Sequence, residues 1–288
     1  MPVIVLHLAV SALYGGLALH FWRTRRRAPA DSPAGLAGWE RAALLVPLAL
    51  HAWLLQLDLV APDQPRFGFG QALSVMLMLA VVIYWVESLF YNLDGLQPLV
   101  LPLAALAVPL PAFFPGMAIA HAASLQFKLH LILGMAAYSV FTIAMLHALL
   151  MALAERSLHK VRTLPAAAGG GAGPGMGPLS GPLAGLPPLL TLERLLFRLI
   201  GLAFALLTLT LVTGLVFSES LFGRALRFDH KSLFALLSWL TFAILLIGRY
   251  AYGWRGRTAL RFTLTGFVML LLAYVGSRFV LEVILGRA

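Results

Sequence analysis

Apolar positions in this chain do not alternate with polar ones; they run on for the width of a bilayer. Such runs fall at 3–22, 40–59, 70–91, 96–113, 128–153, 194–217, 231–251 and 258–285. A helix needs about 20 apolar residues to cross about 30 Å of hydrocarbon. Lipid offers the backbone no hydrogen-bond partner, so runs this long must satisfy their own N–H and C=O groups as helices. The pattern predicts an all-α fold, a polytopic membrane helix bundle with eight transmembrane helices, forming a single integral membrane domain over 1–288. Pro98, Pro102, Pro109 and Pro111 interrupt the fourth run. That span is expected to persist with a kink, because neighbouring helices can satisfy the carbonyls that proline frees.

The polar remainder orients the bundle. One alternating set of loops holds fourteen Arg and Lys residues, among them Arg23, Arg25, Arg41, Arg156, Lys160, Arg249 and Arg255, and the other set holds seven. The positive-inside rule puts the richer set in the cytoplasm, and eight spans then leave both termini on the outer, periplasmic side. The run that begins at Val3 has neither a basic leader nor a small-residue cleavage site, so it is expected to be a retained span. Residues 163–190 are rich in Gly and Pro and read as a cytoplasmic linker between spans five and six. No internal repeat stands out.

Composition narrows the chemistry. Hydrophobic residues make up 61% of the chain and charged residues 11%, an excess too large for one soluble core. The net charge of +10 is accounted for by topogenic loops, and no basic patch with interleaved aromatics lies outside the spans, so no nucleic-acid partner is expected. Cysteine is absent. That excludes a thiolate nucleophile, a CxxC redox pair and covalent attachment of haem to this chain.

Eight histidines then draw attention, since imidazole can ligate iron. His130 opens the fifth span at its outer end, and His230 stands at a similar depth before the seventh. Each is either a candidate ligand or a solvated interface histidine. His147 follows His130 by 17 residues, about 25 Å across the membrane, so those two cannot share an iron. His51 lies near mid-membrane, where an ionisable group is costly; it and His147 are either functional or hydrogen-bonded across helices. Asp229, His230 and Lys231 form a compact cluster preceded by Phe222, Leu226 and Phe228. The segment reads either as a lid lying on a planar ligand or as a helix start capped by Asp229. Arg278 and Glu282 share a face of the last span and either pair with each other or leave Arg278 for an external anion. Glu87, near the inner end of its span, is expected to snorkel or to pair with a loop arginine.

FGRALRFDHKSLFALLSW, from Phe222 to Trp239, and FKLHLILGMAAYS around His130 resemble the cytochrome c assembly proteins of the CcsA and CcmC type. Their hallmark is an external loop of the form WGxxWxWDxK running into a span with a further Trp. Gly223, Asp229, Lys231 and Trp239 match it, while Phe222, Leu226 and Phe228 stand where the family has tryptophans. YWVESLFYNLDGLQPLVLP and the stretch from Gly253 to Glu282 are similar to the HemX-like, eight-span branch.

The resemblance implies a non-enzymatic membrane protein of the inner (plasma) membrane that handles haem at its outer face, with lipid, haem and other cytochrome c assembly or haem-biosynthesis proteins as partners. It implies axial ligation by His130, support or second ligation by His230, loop anchoring by Asp229 and Lys231, and contact of Arg278 with a haem propionate between the fifth, seventh and eighth spans. Phe222, Phe228 and Trp239 would form the apolar ledge, and His51 and His147 an inner transit site. The family's second external histidine has no counterpart, because the last span contains none. Two other readings stay open: a scaffold or regulator of haem metabolism without haem, and a small-solute transporter built on His51 and His147.

Overall fold

The computed structural model of the chain describes residues 2–27, 35–60, 66–118, 124–162, 186–222 and 229–286. In chain order the helices are α1 (Pro2–Arg27), α2 (Gly38–Val60), α3 (Phe69–Glu87), α4 (Gln97–Ala107), α5 (Leu110–Phe113), α6 (Leu125–Arg162), α7 (Leu189–Phe222), α8 (His230–Tyr252), α9 (Gly256–Leu271) and the short α10 (Ser277–Phe279). One helical rod runs on from α9 through α10, with π-helical turns at Leu272–Gly276 and Val280–Ile284. The chain is an all-α, polytopic membrane bundle. Among the described residues six helices are long and apolar enough to cross a membrane: Val3–Arg25, Phe69–Glu87, Leu125–Arg156, Leu189–Phe217, His230–Tyr252 and Gly256–Ile284.

The other two expected runs are helical as well, but each departs from the simple pattern. α2 has 23 residues, and Glu40, Arg41 and His51 dilute its apolar character. The fourth run is broken rather than merely kinked: α4 ends at Ala107, and α5 restarts at Leu110 with Pro109 as its N-cap. Pro109 has no N–H to continue the ladder. The intervening turn is nonetheless well packed, since Val108 is buried beside Ala104 and Ala107.

Packing follows from which faces are small or aromatic. α6 lies along α7, α1 along α4, and α3 against both α4 and α6. Phe141 of α6 stacks on Phe242 of α8 at 4.0 Å. Gly266 of α9 admits that ring, for a Cβ there would lie 2.8 Å from Phe242. Just before α3 a two-residue ladder pairs Arg66 with Ala118 and Phe67 with Met117. It closes tightly because Gly116 takes a φ of +70° and Gly68 approaches it without a side chain. Gly68 N–H donates to Gln71 Oε1, and Gln71 Nε2 donates to the Phe114 carbonyl, which fixes the start of α3.

A buried ionic network ties α1, α2 and the loop before α4. Glu40 accepts from His20, from Arg25 and from the Ala37 N–H. Asp94 accepts from the Gly35 N–H and from Gln97, and faces Arg25 Nε at 3.3 Å. Arg25 therefore has a structural role beyond its topogenic charge. Most of the expected 163–190 linker lies outside the described residues; at its end, residues 186–188 are non-helical and α7 begins at Leu189. Pro187 and Pro188 stop short of the helix, where a missing N–H costs nothing.

Candidate functional site

The start of α6, the end of α7, the start of α8 and the end of the last helix carry most of the candidate residues. Tyr138 Oη donates to the Leu270 carbonyl at 2.6 Å, which sets the register between α6 and the last helix. His130 lies eight residues outward of Tyr138 and Arg278 eight residues outward of Leu270. At 1.5 Å per residue both stand about 12 Å above that contact, at one depth.

His130 turns toward α7. Its Nδ1 lies 3.1 Å from Thr213 Oγ1, its ring meets Phe217 edge-on, and Gly214 leaves room for it, since a Cβ there would come within 3.2 Å of Cε1. The Thr213 hydroxyl donates to the carbonyls of its own helix, Leu209 at 2.8 Å and Thr210 at 3.0 Å. With the hydroxyl so engaged, its oxygen can accept from His130 in the tautomer that carries the hydrogen on Nδ1. The neutral ring then keeps its lone pair on Nε2, the form in which imidazole binds a metal.

Arg278 is incompletely matched. It lies over Tyr274, Nη1 faces the thioether of Met117 at 3.0 Å, and Glu282 is no nearer than 4.0 Å. Arg278 Nε is buried without a hydrogen-bond partner, and so is Glu282 Oε1. The other Glu282 oxygen accepts from the Phe69 N–H at 3.4 Å, at the start of α3. The expected i, i+4 pair exists but is long, because the carboxylate is drawn to that helix N-terminus. Lys231 is close enough to interact with both charges.

Asp229 is the N-cap of α8, accepting from the Ser232 N–H at 3.0 Å. Partial burial opposes its charge, but the Ser232 N–H and hydroxyl and the Lys231 and His230 charges outweigh that. The carboxyl is held below the usual carboxylate range. His230, next to it, is exposed. Trp239 lies deeper: its indole N–H donates to Thr208 Oγ1 and its ring stacks on Phe204, so it joins α8 to α7. Phe228 is outside the described residues. Phe222 ends α7, with its side chain outside them.

The two inner histidines do not form one site. His51 Nε2 lies 2.8 Å from Ser74 Oγ, with the ring edge-on to Tyr14, whereas His147 Nε2 faces Glu87 at 3.7 Å. Ser74 and Glu87 are 13 residues apart on α3, about 20 Å. The partner of Glu87 is thus a buried imidazole rather than a loop arginine. Sequence spacing could not reveal this pair, because its members lie 60 positions apart.

An open groove of about 400 Å³ lies beside the last helix, lined by Phe69, Leu73, Leu110, Leu272, Gly276 and Phe279 among others, all apolar. None of the candidate ligands lines it. Among the described residues no three His, Asp or Glu side chains converge as a metal cluster. An iron held here would need to bring most of its own ligands, as a porphyrin does.

Comparison with known proteins agrees with this architecture. Over 254 residues the chain is 29% identical to the inner membrane protein YpjD of Escherichia coli K12, covering 86% of this chain and 89% of that protein. It is 38% identical over 86 residues to the cytochrome c biogenesis protein CcsA of Nostoc punctiforme, covering 30% of this chain and 24% of that protein. No solved structure matches it. The family model described as cytochrome C assembly protein matches residues 40–285, and the chain belongs to that family.

Proposed function

We propose that this chain is an inner-membrane protein of cytochrome c assembly or haem handling that binds haem at its outer face. The observation that carries the reading is the His130–Thr213 pair, which orients an imidazole through Nδ1 at the depth of an undersatisfied arginine. The residues fit a haem in three respects. Nε2 of His130 has its lone pair available, Arg278 has a donor without an acceptor for a propionate, and the surrounding aromatics supply apolar contact. A haem so bound contributes its own porphyrin nitrogens and redox-active iron. His130 would hold the group through its imidazole, Arg278 and Lys231 would offer it a cationic rim, and Asp229 would brace the adjoining helix start, with exposed His230 as the candidate second ligand. The chain carries no bond-making step of its own in this reading. α2 and the α4–α5 pair complete eight spans, with both termini outside, and other assembly or haem-biosynthesis proteins are the expected partners.

Protein purified from haem-replete cells should show a Soret band that weakens in a His130→Ala variant. Full haem occupancy in that variant would reject the ligand assignment.

A second reading, a scaffold or regulator without haem, is favoured by one observation: none of the candidate ligands lines the apolar groove beside the last helix. Haem titration in detergent separates the two, since a scaffold gives no saturable spectral change.

A further inference from the structure

The buried pair Glu87 and His147 has chemistry that the outer site does not use. His147 is fully buried, and its Nδ1 lies 3.0 Å from the Ile143 carbonyl one turn back. A carbonyl only accepts, so Nδ1 carries a hydrogen. The other nitrogen, Nε2, faces Glu87 Oε2 at 3.7 Å, and neither atom has any hydrogen-bond partner. With Glu87 ionised and His147 neutral, two lone pairs would face each other across a nonpolar gap, each without a donor. Buried polar groups are seldom left so. One additional proton removes the conflict, either as imidazolium beside carboxylate or as carboxylic acid beside neutral imidazole.

The geometry points to Glu87 and His147 together as a binding site for one proton, set within the bundle toward the cytoplasmic end of α3. The separation exceeds that of a direct hydrogen bond. Loading therefore draws α3 and α6 together at this level or recruits a bridging water. Glu87 is the last residue of α3, and its side chain is 11% exposed, so protons have a short route from the inner surface.

Charged groups on the neighbouring elements are engaged elsewhere. Arg41 of α2 donates to the Ser88 carbonyl. Arg25, Glu40 and Asp94 hold one another. Glu193 of α7 takes Arg249 and Arg255, and Glu155 of α6 lies two turns further inward beside Gly256. The pair thus answers to pH largely through its own proton. Its loading is independent of haem.

The test is pH-difference infrared spectroscopy on the full-length protein in liposomes, with solid-state nitrogen resonance of labelled histidine as a second readout on the unaltered chain. The expected result is a one-proton transition whose carboxyl or imidazolium signal disappears in Glu87→Gln and also in His147→Gln, both near-isosteric. A wild-type spectrum without such a transition overturns the proposal. So does a transition that survives in either variant.

Discussion

Replacing Thr213 by Val isolates the tautomer from the ligand itself. Valine keeps the volume and branching of threonine but cannot accept the His130 Nδ1–H, which lies 3.1 Å from the hydroxyl. An unmade hydrogen bond at a part-buried position costs about 1 kcal/mol of stability, which a bundle of this size tolerates. The effect on haem should be larger. Groups that orient a ligating histidine through its second nitrogen are worth about 10- to 100-fold in affinity, or about 1.4–2.8 kcal/mol at about 1.4 kcal/mol per tenfold. The assay is haem titration of the detergent-purified protein by Soret absorbance, with thermal unfolding in parallel. Thr213→Ser retains the oxygen and should keep most of the affinity. Should Thr213→Val bind haem as tightly as the parent, with an unchanged Soret maximum, the claim that this hydroxyl prepares His130 as a ligand is refuted.

The surrounding structure has other testable consequences. Glu40 accepts from His20, Arg25 and a backbone N–H while buried; Glu40→Ala leaves Arg25 with Asp94 as its remaining carboxylate and should cost about 1–3 kcal/mol, measured as a loss of unfolding free energy in detergent. Gly68→Ala puts a Cβ 2.7 Å from Gly116 Cα and against the Glu282 carboxylate, an overpacking expected to cost about 1–3 kcal/mol and to lower the melting temperature. Asp229→Ala removes the α8 cap for about 1 kcal/mol. Because the folded-state pKa of Asp229 is depressed, its contribution is fully present above the unfolded value of about 3.9 and fades as pH falls through the folded value. Asp229→Asn should retain the cap and abolish that acid-dependent loss in a pH series of unfolding measurements.

Span positions were legible because a 20-residue apolar run has few structural options in lipid, and all eight runs are helical. The break at Pro109 was half legible: proline announces an interruption, but whether neighbours preserve or split a helix depends on packing that no local pattern encodes. Among the site residues, Asp229 was readable as a cap because capping is local. The direction in which His130 turns was not, since its acceptor lies 83 positions away on another helix. The same holds for Glu87, where a loop arginine was the nearer option in sequence and a histidine on α6 was nearer in space. Arg25 shows the converse. Its position at a span end explains its charge sign, while its burial between Glu40 and Asp94 arises only from the meeting of α1, α2 and the loop before α4.

The bundle treats two buried carboxylates differently, and the difference bears on the proposed function. Glu40 uses both oxygens, one with His20 and the other with Arg25 and Ala37. Glu282, beside the start of α3, uses one oxygen in a long hydrogen bond and leaves the other with only a 4.0 Å ion pair to Arg278, whose Nη1 contacts a thioether. Both side chains are comparably buried, at 5% and 4% exposed, so solvent does not explain the contrast. Burial without satisfaction is unfavourable for the protein alone. In the proposed function a haem carboxylate at Arg278 relieves it. The network around Glu40 holds three elements together, whereas the cluster of Arg278 and Glu282 leaves polar atoms unmatched.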